Sequence, residues 1–170
     1  SLNASRVIDL KGSTVLPGLI DSHIHGTLTG IYLSSVNVRE ARTVSDVLER
    51  IAAACKAQNG ESWVLCAVLL PQNLKEKRPP NRWELDAVSY HHPVFVDYVT
   101  YHGCLVNSKA LAGLHFPSGM TGIEMEHGEP NGTFFTDESV FYIRACILGD
   151  LGDDVLKSYN RACADYATSR

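Results

Sequence analysis

Two apolar segments constrain the fold of this chain more than any other feature of its sequence. Trp63–Leu70 (WVLCAVLL) and residues 94–99 (VFVDYV) consist almost entirely of apolar side chains. Segments of this length without polar alternation are typical of strands that are covered on both faces, as in parallel sheets. Segments with helix signals lie between and around them, so the sequence predicts a layered α/β fold.

The clearest helix signal covers residues 43–58, whose apolar side chains recur on one face. Thr43 and Asp46 have the spacing of a capping box, in which each side chain bonds the other's backbone N–H group. Asn81 predicts the start of a short helix, and Asn107 predicts the start of another, because Asn is a favoured N-cap residue.

Three further segments complete the predicted organisation. The sequence GIEMEHGEPNGTFF predicts a β-hairpin with its turn near residues 129–132. Residues 153–168 predict an amphipathic final helix. Residues 15–20 predict a buried strand, or the approach to one, that Pro17 and Gly18 bend before Asp21.

Composition excludes several classes of partner. The chain has 170 residues and a formal net charge of −4, which favours neither nucleic acid nor an anionic membrane as partner. No apolar segment approaches the roughly 20 residues of a membrane span. The five cysteines are scattered and odd in number, so we expect reduced thiols and a cytoplasmic location.

The candidate site lies in Val15–Gly26 (VLPGLIDSHIHG). In an extended strand, His23 and His25 would face one side and Ile24 the other. Two neighbouring imidazoles suit Zn²⁺ or a similar divalent metal. Asp21 could orient the two imidazoles without itself binding the metal, or it could stabilise the turn. A His-x-His pattern also arises by chance on protein surfaces, so the pair alone leaves both interpretations open.

The wider segment RVIDLKGSTVLPGLIDSHIHG resembles the first-strand signature of the amidohydrolase superfamily of metal-dependent hydrolases. Downstream, PPNRWELDAVSYHHPVFVDYVTYHGCLVNSKALAGL and HGEPNGTFF resemble the branch that includes N-substituted formamide deformylase-like proteins, which carries a long insertion after the first barrel strand. The final DDVLKSYNRACADYATSR resembles the helix that leads back to the barrel.

A complete (β/α)8 barrel needs about 250 residues, so the resemblance implies an N-terminal fragment holding part of one. Residues 1–42 would end an N-terminal β segment and supply the first barrel strand. Residues 43–150 would form the α/β insertion with its hairpin, and residues 151–170 the returning helix.

The resemblance also implies a chemistry. One or two divalent metal ions, with zinc expected, would activate water to hydrolyse amide-like, non-peptide C–N bonds of a small molecule. His23 and His25 would be metal ligands, and His102 would contact substrate, unless it is a loop histidine bonded to backbone. Asp137 and Glu138 follow the hairpin one or two residues later than the acidic residue of relatives. They are therefore candidate ligands, with helix capping by Asp137 as the alternative.

Two expectations remain open. In the first, the chain is part of a hydrolase whose other metal ligands lie elsewhere, so it is inactive alone and exposes apolar surface around residues 15–24, with possible homo-oligomerisation. In the second, it is a self-contained binding or interaction module that covers this surface. His91 and His92 precede Pro93 and are expected to be solvated.

Overall fold

The computed structural model describes residues 5–18, 20–89 and 91–169. Its helices are α1 Gly26–Ser34, α2 Val44–Ala57, α3 Arg82–Ser89, α4 Ser108–Ala112, α5 Asp137–Leu151 and α6 Asp153–Thr168. Its strands are β1 Val36–Asn37, β2 Val64–Leu69, β3 Val94–Tyr98, β4 Cys104–Val106, β5 Ile123–Glu126 and β6 Glu129–Phe134. None of these helices is both long and apolar enough to cross a membrane.

The strands form one open, mixed sheet in the order β1-β2-β3-β4-β6-β5. The first three strands are parallel, and β4, β6 and β5 continue the sheet in antiparallel pairs. The two apolar segments are the adjacent strands β2 and β3, paired from Val64 with Val94 onward. The predicted layered α/β arrangement is therefore confirmed.

Helices cover both faces of the sheet, which explains why its central strands β2 and β3 carry apolar side chains at every position except Asp97. Val64 and Val94 point into a core built with α2 and α3. Leu65 and Phe95, one residue further along each strand, point into a second core with α4 and α5. Side chains that alternate along each strand therefore pack into two cores, rather than facing one core and solvent.

Local hydrogen bonds account for most helix starts. The capping box predicted for α2 is present between Thr43 and Asp46. The side chain of Asn81 accepts a bond from the Glu84 N–H group, as predicted for α3. The prediction that Asp137 caps α5 is wrong, because the extended residue Thr136 takes that position and accepts the Ser139 N–H group.

The predicted hairpin is formed by β5 and β6, and its turn directly precedes residues 129–132, near which it was predicted. The turn lies at His127 and Gly128, whose φ angles are 53° and 82°. Positive φ at both central residues is the geometry of a type I′ turn, which matches the twist of the flanking strands. Residues 129–132 belong to β6.

The prediction of a buried strand over residues 15–20 is also wrong for the residues described there. Val15, Leu16 and Ile20 have no strand structure and are 69%, 74% and 90% exposed. No strand of the described chain pairs with this segment, so its backbone has no sheet partner there and its side chains have no cover. Leu19 lies outside the described residues.

Candidate functional site

His23 and His25 lie immediately before α1. Their ring centroids are 5.2 Å apart, and the ring planes are almost perpendicular. Both side chains are exposed, and the carbonyl of His25 accepts the Thr29 N–H group at 2.8 Å at the start of the helix. The Oδ1 atom of Asp21 accepts the His23 backbone N–H group at 3.0 Å, so Asp21 shapes the turn that carries the pair.

The histidine pair borders a cleft of about 440 Å³, a volume within the range of small-molecule sites. One wall is the segment from His23 to Thr29 at the start of α1. The other wall combines the turn after β3 with α5. Its residues are Thr100, Tyr101, His102, Phe141 and Arg144. The structure thus brings His102 to the same cleft as the pair.

His102 occupies a tight turn between β3 and β4. The Tyr98 N–H group donates to the Gly103 carbonyl at 3.0 Å, and Tyr101 has a φ angle of 60°. The His102 ring meets Asp137, with Nδ1 and Oδ1 2.6 Å apart. Because a carboxylate oxygen only accepts, Nδ1 carries the hydrogen and Nε2 is left for other partners.

A buried ion pair lies beneath this wall. Arg144 donates to Asp97 through Nε at 3.2 Å and through Nη2 at 2.6 Å. Nη2 also donates to the Tyr101 carbonyl at 2.9 Å. Burial raises the pKa of the Asp97 carboxyl, and the bonds from Arg144 lower it by less. Arg144 therefore links α5 to strand β3 and to the turn at Tyr101.

The donor set fits a divalent metal only in part. Two imidazoles at the edge of a cleft are ligands that zinc prefers, each through one ring nitrogen. No group of three or more His, Cys, Asp or Glu residues that could hold a metal occurs within residues 5–18, 20–89 and 91–169. A catalytic zinc takes three protein ligands, one more than the two imidazoles at this cleft.

Other candidates have different surroundings. Glu138 is exposed and does not line the cleft. Asn107 caps α4, as predicted, by accepting the Ala110 N–H group. The expectation of a solvated His92 is wrong, because the residue is 6% exposed and its Nδ1 atom lies 2.9 Å from the Ser62 carbonyl. Burial raises the pKa of the Cys104 thiol, which keeps it protonated and unsuited to nucleophilic attack.

Sequence reasoning missed Arg144 and Asp97. A usable signal exists, since each is the one charged residue inside an apolar stretch: Asp97 in VFVDYV and Arg144 in VFYIRACIL. Isolated opposite charges in two elements that are otherwise buried indicate a partner for each, because an unpaired buried charge is costly.

Comparisons with known proteins extend this picture. A family model described as "Amidohydrolase family" matches residues 6–166. An N-substituted formamide deformylase of Arthrobacter pascens is 33% identical over an alignment of 138 residues, which covers 76% of this chain and 25% of that protein. Protein LONG AFTER FAR-RED 3 of Arabidopsis thaliana is 30% identical over an alignment of 131 residues, which covers 74% of this chain and 22% of that protein.

A solved structure shares the fold. The crystal structure of an uncharacterized metal-dependent hydrolase from Pyrococcus horikoshii OT3 superposes with a TM-score of 0.67 and 22% identity, covering 88% of this chain and 28% of that one. The chain therefore spans about a quarter of the length of the relatives it matches. The family model covers nearly the whole of this sequence, and the chain belongs to the amidohydrolase family.

Proposed function

We propose that this chain is the metal-ligating N-terminal part of an amidohydrolase that cleaves C–N bonds of small, non-peptide amides. The observation that carries the proposal is the side-by-side placement of His23 and His25 at the edge of a cleft of small-molecule size. The relative named N-substituted formamide deformylase supports an amide substrate. The proposal includes part of a (β/α)8 barrel in the whole protein, although residues 15–18 and 20 form no strand here.

The three histidines of the cleft, and the two aspartates that contact them, have proposed roles. His23 and His25 each give one ring nitrogen to a divalent metal, with zinc favoured by the ligand type. Asp21 holds the backbone of their turn. When bound, such a metal supplies activated water for hydrolysis near neutral pH. His102 contacts the substrate from the opposite wall, and Asp137 orients its ring.

The ligand count limits what the chain does alone. Two imidazoles are one protein ligand short of a typical catalytic zinc site. We therefore expect weak zinc binding and no amide hydrolysis by the isolated chain, with the remaining ligands coming from outside the described residues.

Zinc titration by calorimetry tests the metal assignment. We expect His23→Ala and His25→Ala each to weaken zinc binding by more than about tenfold, a loss seen even when groups behind a metal ligand are removed. His127→Ala is the matched control, because this exposed histidine lies in the hairpin turn. Equal zinc affinity in all four proteins would contradict the assignment.

Hydrolysis of a simple N-substituted formamide tests the expected inactivity of the chain. Turnover by the purified chain that disappears in His23→Ala would overturn that expectation while supporting the metal site. The competing function is a binding module without chemistry; within residues 5–18, 20–89 and 91–169 no group of three metal ligands occurs. It predicts no zinc binding at His23 and His25 at any concentration.

A further inference from the structure

We propose that Arg144, paired with Asp97, is a positioning residue that holds the turn at Tyr101 so that His102 faces the cleft on its bond to Asp137. The inference rests on the proposed function only in making His102 a ligand-facing group. Its contacts and its test concern the protein without metal or substrate.

Helix α5 is hydrogen-bonded to the turn at two points. Asp137 and Arg144 are seven residues apart, close to two helical turns, so both lie on the helix face next to the turn. Asp137 bonds the His102 ring at 2.6 Å, and Arg144 bonds the carbonyl of the preceding residue, Tyr101, at 2.9 Å. The same guanidinium group bonds Asp97 of β3. Helix, strand and turn are thus joined through one side chain.

The turn needs this support because its backbone is strained. Tyr101 has a φ angle of 60°, a conformation that non-glycine residues adopt at a cost. Such a conformation persists where the surroundings fix it. Arg144 supplies that constraint through the Tyr101 carbonyl, and its guanidinium carbon lies 5.3 Å from the centroid of the Tyr101 ring.

The His102–Asp137 bond cannot fix the ring by itself. Both side chains are well exposed, at 67% and 63%, and water and salt screen such pairs strongly. The side chains of Arg144 and Asp97 are only 8% and 10% exposed, and their two hydrogen bonds form a bidentate pair that fixes their relative orientation. The buried pair therefore sets where the turn lies, and the exposed bond then selects the ring orientation.

Nitrogen NMR of the histidine rings provides the test. In chain labelled with ¹⁵N-histidine, long-range ¹H–¹⁵N spectra report which ring nitrogen carries the hydrogen, and His102→Gln identifies the His102 signals. We expect neutral His102 to carry its hydrogen on Nδ1 in the wild type. Asp137→Ala removes the carboxylate and gives the reference spectrum of a released ring.

In Arg144→Lys, we expect the His102 spectrum to move most of the way to that reference, because lysine keeps the charge but not the two-pronged geometry. Asp97→Asn should shift the His102 spectrum towards the same reference. It replaces Arg144→Lys in the test if that variant does not fold. Arg82→Lys is the matched control, since Arg82 is also paired with a carboxylate, that of Glu129, and lies outside the cleft. It should leave His102 unchanged even if the melting temperature falls.

A merely structural role for Arg144 makes a different prediction. Arg144→Lys and Asp97→Asn would then lower the melting temperature while His102 keeps the wild-type spectrum, and this result would overturn the inference. A wild-type spectrum equal to that of Asp137→Ala would overturn it as well. Failure of zinc binding at His23 and His25 would instead remove the proposed function and leave the NMR result intact.

Discussion

Asn107 illustrates how one buried side chain joins elements that are distant in sequence. Its Oδ1 atom accepts the N–H groups of Val94 and Ala110, each at 3.0 Å. Its Nδ2 atom donates to the Ser89 hydroxyl at 2.8 Å and to the His92 carbonyl at 2.9 Å. The residue is 1% exposed, so all four bonds are shielded from water. Strand β3, helix α3 and helix α4 meet at this amide.

Replacing this amide should be costly, because Asn107→Ala leaves several buried polar groups without partners. We expect a loss of about 3 kcal/mol in the free energy of unfolding. Urea denaturation at neutral pH measures it, with exposed Asn73→Ala as the control, expected within about 0.5 kcal/mol of wild type. A loss below about 1 kcal/mol for Asn107→Ala would mean that other groups replace the amide's bonds.

The sequence predicts only the local part of this role. An Asn before an apolar helix indicates a cap, and the bond to Ala110 is that cap. The other partners lie 13, 15 and 18 residues away, and their approach depends on how the strands assemble. For the same reason the sequence does not predict that His92 is buried, because its partner Ser62 is 30 residues distant.

Helices α1 and α6 pack with their backbones in close contact. A Cβ atom placed on Gly30 of α1 would lie 1.8 Å from the carbonyl oxygen of Tyr159 in α6. The obstacle is backbone, so a side chain at this position cannot be accommodated by a rotamer change. Only glycine permits this contact, and α1 carries the histidine pair at its start.

Gly30→Ala should therefore force the two helices apart. We expect the free energy of unfolding to fall by about 2 kcal/mol or more, because overpacking of rigid neighbours strains both. Gly149→Ala is the matched control in α5, where an added Cβ atom meets nothing within 4 Å. It should be neutral or raise stability by about 0.5–1 kcal/mol. Similar losses in both variants, measured by urea unfolding, would contradict a specific helix contact.

The predictability of the elements follows from their length and pattern. Strands β2 and β3 and helices α2 and α6 agree with the sequence predictions within a residue or two. Helix α1 was not predicted, because GTLTGIYLS is rich in glycine and threonine, which favour helix weakly. Strands β1 and β4 have two and three residues and form through pairing with their neighbours.

At the scale of the whole molecule, one wall of the site is a short sequence motif and the other is built from residues that are distant in sequence. The His-x-His pair is recognisable in sequence because both residues lie within one short segment. The opposite wall depends on contacts such as Arg144 with Asp97, which are 47 residues apart. Resemblance to relatives pointed to His102, whereas the charged pair beneath it emerges only when β3 and α5 are brought together.

The exposed apolar residues before α1 give the molecule a surface that another copy can cover. Leu16 and Ile20 are 74% and 90% exposed, and Val15 and Ile24 add to the same segment. Burying one such side chain contributes about 2 kcal/mol, or roughly thirtyfold in a dissociation constant. We expect the chain to self-associate as its concentration rises, as detected by sedimentation velocity.

Leu16→Lys and Ile20→Lys should each shift this equilibrium towards the monomer, because a charge cannot be buried there without a partner. Met125→Lys is the control, since Met125 is 56% exposed but lies in the hairpin. Equal association of all three variants and the wild type would place the contact elsewhere. A wild-type chain that stays monomeric at every concentration would mean that the exposed segment does not drive assembly. It would also weaken the expectation that this segment is a surface covered by other parts of a hydrolase.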